Sequence, residues 1–170
     1  MAAHPLISPT NRDVTLDVGL WLKLLIIDFV ALTLQGSVMS HFQGPLLACQ
    51  IAPVVAVLVG YRVHLVTGAA NGLFLGWAAG ALALEPTGIP ILMTMALGGL
   101  ANIARDLCHI EDGLIRALLT LTLVAAGELA VWLLTLIIWQ TVPPILPLSL
   151  LVYVILIPLA DAAVNWALRI

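Results

Sequence analysis

The stretch LIRALLTLTLVAAGELAVWLLTLIIWQ, Leu114–Gln140, decides the class of the protein. It holds one arginine near its start and one glutamate in its middle, Arg116 and Glu128, in an otherwise apolar setting. A helix of roughly 20 such residues crosses the hydrocarbon core of a bilayer. A membrane β-strand is excluded, because barrel strands alternate apolar and polar positions. The rest of the chain follows the same pattern. Of 170 residues, 62% are apolar and 9% are charged, against about 25% charged in a soluble domain. Mean hydropathy is +1.16. Six spans of this kind would occupy about 120 positions, which leaves no room for a separate soluble domain. A cytosolic enzyme, a nucleic-acid-binding domain and a disulfide-stapled secreted protein are excluded.

The expected fold class is therefore all-α: a polytopic membrane protein with a six-helix transmembrane bundle. Residues 1–19 read as a polar tail, since Pro5 and Pro9 discourage helix and no signal-peptide cleavage pattern ends there. The transmembrane domain covers 20–170. Its spans are expected at Leu20–Met39, Pro45–Tyr61, Val66–Leu84, Ile89–Ile103, Leu114–Gln140 and Leu148–Ala167. Turns fall at Ser40–Gly44, Arg62–Leu65, Glu85–Gly88 and Thr141–Pro147, with Arg105–Gly113 as the longest charged loop.

Charge fixes the expected orientation. The six basic residues are Arg12, Lys23, Arg62, Arg105, Arg116 and Arg169. With six spans, all six fall on one side, Lys23 by snorkelling, and the other three loops hold none. Positive residues mark the cytoplasmic side, so both termini are expected in the cytoplasm, with Cys49 near the outer face and Cys108 near the inner one. Net charge is −3 without a block of like charge, and nucleic acid is not an expected partner.

Two sets of residues stand out. Gly68, Gly72, Gly76 and Gly80 recur every four positions in span three. Small residues at this spacing let helix backbones approach closely, which makes them candidate helix-docking positions, toward a partner chain or toward another span of the same chain. The second set is polar and lies within spans: Asp28 with Gln35, Glu128 with Thr135, and Asp161 with Asn165, each pair on one helix face. A carboxylate in hydrocarbon is costly, so these residues face protein or water. They form either an interhelical hydrogen-bond network or a proton or ligand path. Arg62 and His64 make a short basic loop suited to anionic headgroups or a partner. Cys108, His109, Glu111 and Asp112 are metal-ligand types without a paired spacing. No cofactor or metal is expected, and no nucleophile–base pair marks an enzyme. Five tryptophans include Trp77 and Trp132, which lie deep in their spans and are expected to pack.

Several of these features together resemble the MreD family, the small integral-membrane component of the bacterial rod-shape machinery. The likeness runs from Leu46 to Ile170. It rests on the basic loop Tyr61-Arg62-Val63-His64, the G-x-x-x-G-x-x-x-G of Gly72, Gly76 and Gly80, and the turn Pro86-Thr87-Gly88-Ile89. It rests also on Glu128 and Trp132 in span five and on Pro158 in span six. The family commonly carries an aspartate where Gly80 stands, and here Glu85 is the nearest acid. The resemblance implies a non-catalytic scaffold in the bacterial inner membrane. Its partners would be an MreC-like bitopic protein, a RodA-like glycosyltransferase, a penicillin-binding transpeptidase and the actin-like MreB.

A second reading is the substrate-binding S-component of an energy-coupling-factor vitamin transporter, also a six-span protein of this size. That pattern needs small residues four apart in span one, which has no Ala-x-x-x-Ala; Ala163 and Ala167 show it in span six. A third reading, a proton-coupled transporter using Asp28, Glu128 and Asp161, lacks an inverted repeat of broken helices.

Overall fold

The computed structural model describes residues 17–37, 50–83, 88–108, 112–139 and 147–169. These form six helices and, among the described residues, no strand: α1 Val18–Ser37, α2 Ile51–Gly60, α3 Leu65–Ala83, α4 Gly88–Cys108, α5 Gly113–Trp139 and α6 Pro147–Arg169. Among the described residues, α1, α3, α4 and α5 contain stretches long and apolar enough to cross a membrane, while the apolar stretches of α2 and α6 are shorter. Most of the expected tail, the turn at Ser40–Gly44, Cys49, Glu85, His109, Glu111 and most of the turn at Thr141–Pro147 lie outside the described residues.

Local chemistry sets several boundaries. α1 starts at Val18 because Asp17 caps it. The Asp17 carboxylate accepts from the N–H groups of Gly19 at 3.0 Å and Leu20 at 3.3 Å, as an N-cap acid should. α4 corrects the expected end at Ile103. It continues through Arg105, Asp106 and Leu107 to Cys108, so the charged loop begins later than the polarity of Arg105 implies. These residues do not break a helix, and Arg105 in the last turn complements the negative end of the helix dipole. Pro158 sits inside α6 without ending it.

All five other helices pack on α2. Each residue from Ile51 to Gly60 is buried, whereas α1, α3, α4, α5 and α6 all expose large apolar side chains. A helix apolar on every side belongs in the middle of a bundle, and IAPVVAVLVG is such a helix. Around it the core is filled by Leu24, Leu75, Val124, Tyr153 and Ile157. Trp77 corrects its expected packing role. It is 56% exposed and lies against Phe74, with ring centroids 6.4 Å apart. Trp132 is half-buried.

α2, α3 and α4 meet backbone to backbone. Gly60, Gly68 and Gly98, one from each helix, come together at a single point. A methyl group on Gly68 would lie 2.9 Å from the Gly98 carbonyl oxygen and 3.2 Å from the Gly60 Cα. One on Gly60 would collide with the same carbonyl. Further along, methyl groups on Gly72 and Gly76 would strike the Thr94 carbonyl and hydroxyl oxygens. Gly80 continues the row and is buried.

Candidate functional site: polar clusters at the two ends of the central helix

A helix begins with unsatisfied N–H groups and ends with unsatisfied C=O groups. Away from water, each orphan is expensive. Both ends of α2 are inside the protein, and side chains from other helices complete them.

At the start of α2, its own flanking residue Gln50 supplies no side-chain cap. Gln35 of α1 takes that role. Its carboxamide oxygen accepts from the N–H groups of Ile51 and Ala52, each at 3.1 Å. Pro53 has no N–H to satisfy. The Tyr153 hydroxyl of α6 accepts from the Gln50 N–H at 3.1 Å. Its single hydrogen has two acceptors, the Gln50 carbonyl at 3.3 Å and the Glu128 carboxyl of α5. This cluster draws side chains from α1, α5 and α6 onto the end of α2, and none of them is a cation.

The far end of α2 is handled by cations. Arg62 donates from Nη1 to the Leu58 carbonyl at 2.8 Å, and Arg105 of α4 donates to the Tyr61 carbonyl at 3.0 Å. The Asn102 amide donates to the Val63 carbonyl at 2.6 Å. Positive side chains at a helix C-terminus also complement its dipole. Arg62 carries a second connection, an ion pair from Nη2 to Asp161 Oδ1 of α6 at 2.6 Å. Arg116 of α5 approaches the same carboxylate from another side, at 3.5 Å and 3.4 Å from its two oxygens.

Between the two ends lies a third contact. Asn71 of α3 donates to Asp28 of α1 at 3.4 Å, and both residues are 1% exposed.

The acids expected inside spans are thus not brought to one place. Asp28 meets Asn71, Glu128 meets Tyr153, and Asp161 meets Arg62 and Arg116. Gln35 serves α2 and not its helix-mate Asp28. Asn165, one turn beyond Asp161, is half-buried and joins none of these contacts. The Thr135 side chain is outside the described residues. Among the described residues, no three His, Cys, Asp or Glu side chains converge as metal ligands, and Cys108 is free and exposed. The row of Gly68, Gly72 and Gly76 faces α4 of the same chain, so a partner helix could use it only by displacing α4. Sequence reading missed Asn71, Tyr153, Gly60 and Gly98. Asn71 and Tyr153 had a signal, as polar groups in the middle of apolar spans, and Gly60 and Gly98 had a weaker one, closing the four-residue small spacings Ala52, Ala56, Gly60 and Thr94, Gly98.

Among the described residues, two apolar grooves open on the outside of the bundle. One, of about 380 Å³, lies between α4 and α5 over Met93, Leu97, Leu123 and Gly127. The other, of about 430 Å³, lies between α1 and α6, where Ile51 and Val55 of α2 form part of its lining along with Val30, Ala160 and Ala163.

Comparison with protein-family models, with curated proteins and with solved structures finds no match for this chain.

Proposed function

We propose that the chain is a non-catalytic scaffold of the bacterial inner membrane that crosses the bilayer six times with both termini in the cytoplasm. One observation supports the scaffold reading above the others. Asp28, Glu128 and Asp161 are each tied to a partner inside the fold, and the ties from Glu128 and Asp161, with Gln35, reach the two ends of α2. Such groups hold helices together. A transporter would need them to bind and release a proton or a solute in turn. The orientation draws support from the clusters themselves: Arg62, Arg105 and Arg116 gather at one end of α2, the end that positive residues mark as cytoplasmic.

The particular assembly follows the resemblance to MreD. The chain would hold an MreC-like bitopic protein beside a RodA-like glycosyltransferase and a penicillin-binding transpeptidase, with MreB on the cytoplasmic face, and so take part in control of cell shape. Its lipid-facing grooves offer surface to membrane helices of such partners. Purification of the tagged protein from native membranes in mild detergent, with mass spectrometry of what accompanies it, tests this. Recovery of the MreC-like protein or the wall synthases is the expected result. Recovery of a pair of ATPases with a membrane coupling subunit would replace the scaffold by the S-component reading.

A further inference from the structure

The cation cluster at the end of α2 is unbalanced. Arg62 and Arg116 share one carboxylate, Asp161, and the three side chains are only 15–22% exposed. Asp161 is committed to Arg62 through the short contact at 2.6 Å. Arg116 reaches it from Nη1 alone, at 3.4 Å and 3.5 Å, outside the usual 2.7–3.2 Å range of a good N–H···O bond. A guanidinium has five N–H donors, and Arg116 makes no other side-chain hydrogen bond among the described residues. Arg105 adds a third positive charge nearby, paired with Asp106 on the exposed side at 3.0 Å. A second, weakly paired guanidinium therefore stands beside a committed ion pair.

We propose that Arg116, with Arg62, forms a binding site for a phosphate group at this end of the bundle. A phosphate oxygen accepts from the free N–H groups of Arg116, which suit planar, bidentate recognition of phosphate. It offsets the second arginine's charge. The same chemistry is presented by a phospholipid headgroup and by free phosphate. The proposal does not depend on the scaffold function.

Native mass spectrometry of the full-length protein in detergent, with phosphatidylglycerol or a galactolipid of the same chain length added, tests the site. The phosphate-bearing lipid is expected to be retained over the galactolipid. Arg116→Gln leaves the Arg62–Asp161 pair in place and is expected to reduce that retention about a hundredfold, the loss of two charge-assisted hydrogen bonds. Asp161→Asn removes the competing carboxylate and is expected to increase retention, whereas a purely structural Asp161 would give no gain. Competition by millimolar inorganic phosphate would identify soluble phosphate as the occupant, and absence of competition would identify the headgroup. Equal retention of the two lipids, or retention by Arg116→Gln as strong as by the native protein, overturns the proposal.

Discussion

The α2–α3–α4 trio and the surrounding helices α1, α5 and α6 are joined by different means. Within the trio, backbone touches backbone at Gly60, Gly68, Gly72, Gly76 and Gly98. The outer helices are fastened by side chains: Gln35 and Asp28 from α1, Glu128 and Arg116 from α5, and Tyr153 and Asp161 from α6. The difference has a physical origin. In lipid there is no hydrophobic force between apolar helices, so association depends on close packing or on polar bonds. Glycine gives the first and polar side chains give the second. Side-chain fastening also leaves gaps, and both apolar grooves, between α4 and α5 and between α1 and α6, border an outer helix.

This contrast orders the effects of substitution. The largest is expected at Gly72→Ala, where the new methyl collides with the backbone of Thr94 and neither helix can move without losing the rest of the seam. A cost of about 3 kcal/mol follows, read as a clear fall in melting temperature in detergent. Should this variant melt like the native protein, the seam is not where the trio is held. Asp161→Ala is next. It leaves Arg62 and Arg116 facing each other without a counter-charge. Partial exposure moderates the penalty to about 2 kcal/mol, and Asp161→Asn, which keeps an oxygen acceptor, should lose less.

Gln35→Leu removes the acceptor for two N–H groups of α2 and should cost about 1–2 kcal/mol, at the low end of the range for buried donors because polar bonds in membranes measure weak. The smallest effects come from glycines outside the seam. A methyl on Gly127 meets only the flexible ends of Met93 and Leu97, so Gly127→Ala should stay within about 1 kcal/mol of the native protein. One on Gly99 finds only ordinary contact, at 3.9 Å from the Ala69 Cβ. Gly99→Ala should be neutral or gain up to about 1 kcal/mol from helix propensity. Equal losses at Gly99 and Gly72 would erase the distinction between seam and surface.

Much of this architecture is legible in the residues, and the limits are instructive. Span five reads as a helix from its length and lack of charge, and α5 runs Gly113–Trp139, within one residue of the expected Leu114–Gln140 at each end. The glycine row announces a close contact, because spacing is a property of one helix. It does not announce α4 as the other side, since more than one helix carries small residues four apart, Thr94 and Gly98 in α4 and Ala52, Ala56 and Gly60 in α2. Polar residues behave likewise. Asp28, Gln35, Glu128 and Asp161 are conspicuous in apolar spans, but their partners are set by how the helices are arranged around α2. A shared face within a helix, as for Asp28 and Gln35, does not name the partners for this reason: the two side chains turn to different neighbours, α3 and α2. A clue to the arrangement was present in IAPVVAVLVG, whose lack of any polar side marks a helix enclosed by others.

The central claim is that polar side chains of the outer helices complete the ends of a buried α2. It is tested most directly by amide hydrogen exchange of Ile51 and Ala52 in nanodiscs, measured by NMR for the native protein and for Gln35→Leu. The account predicts slow exchange at both amides in the native protein and a selective rise at these two in the variant, with the middle of α2 unchanged. Fast exchange at Ile51 and Ala52 in the native protein, or protection that survives loss of Gln35, would contradict it.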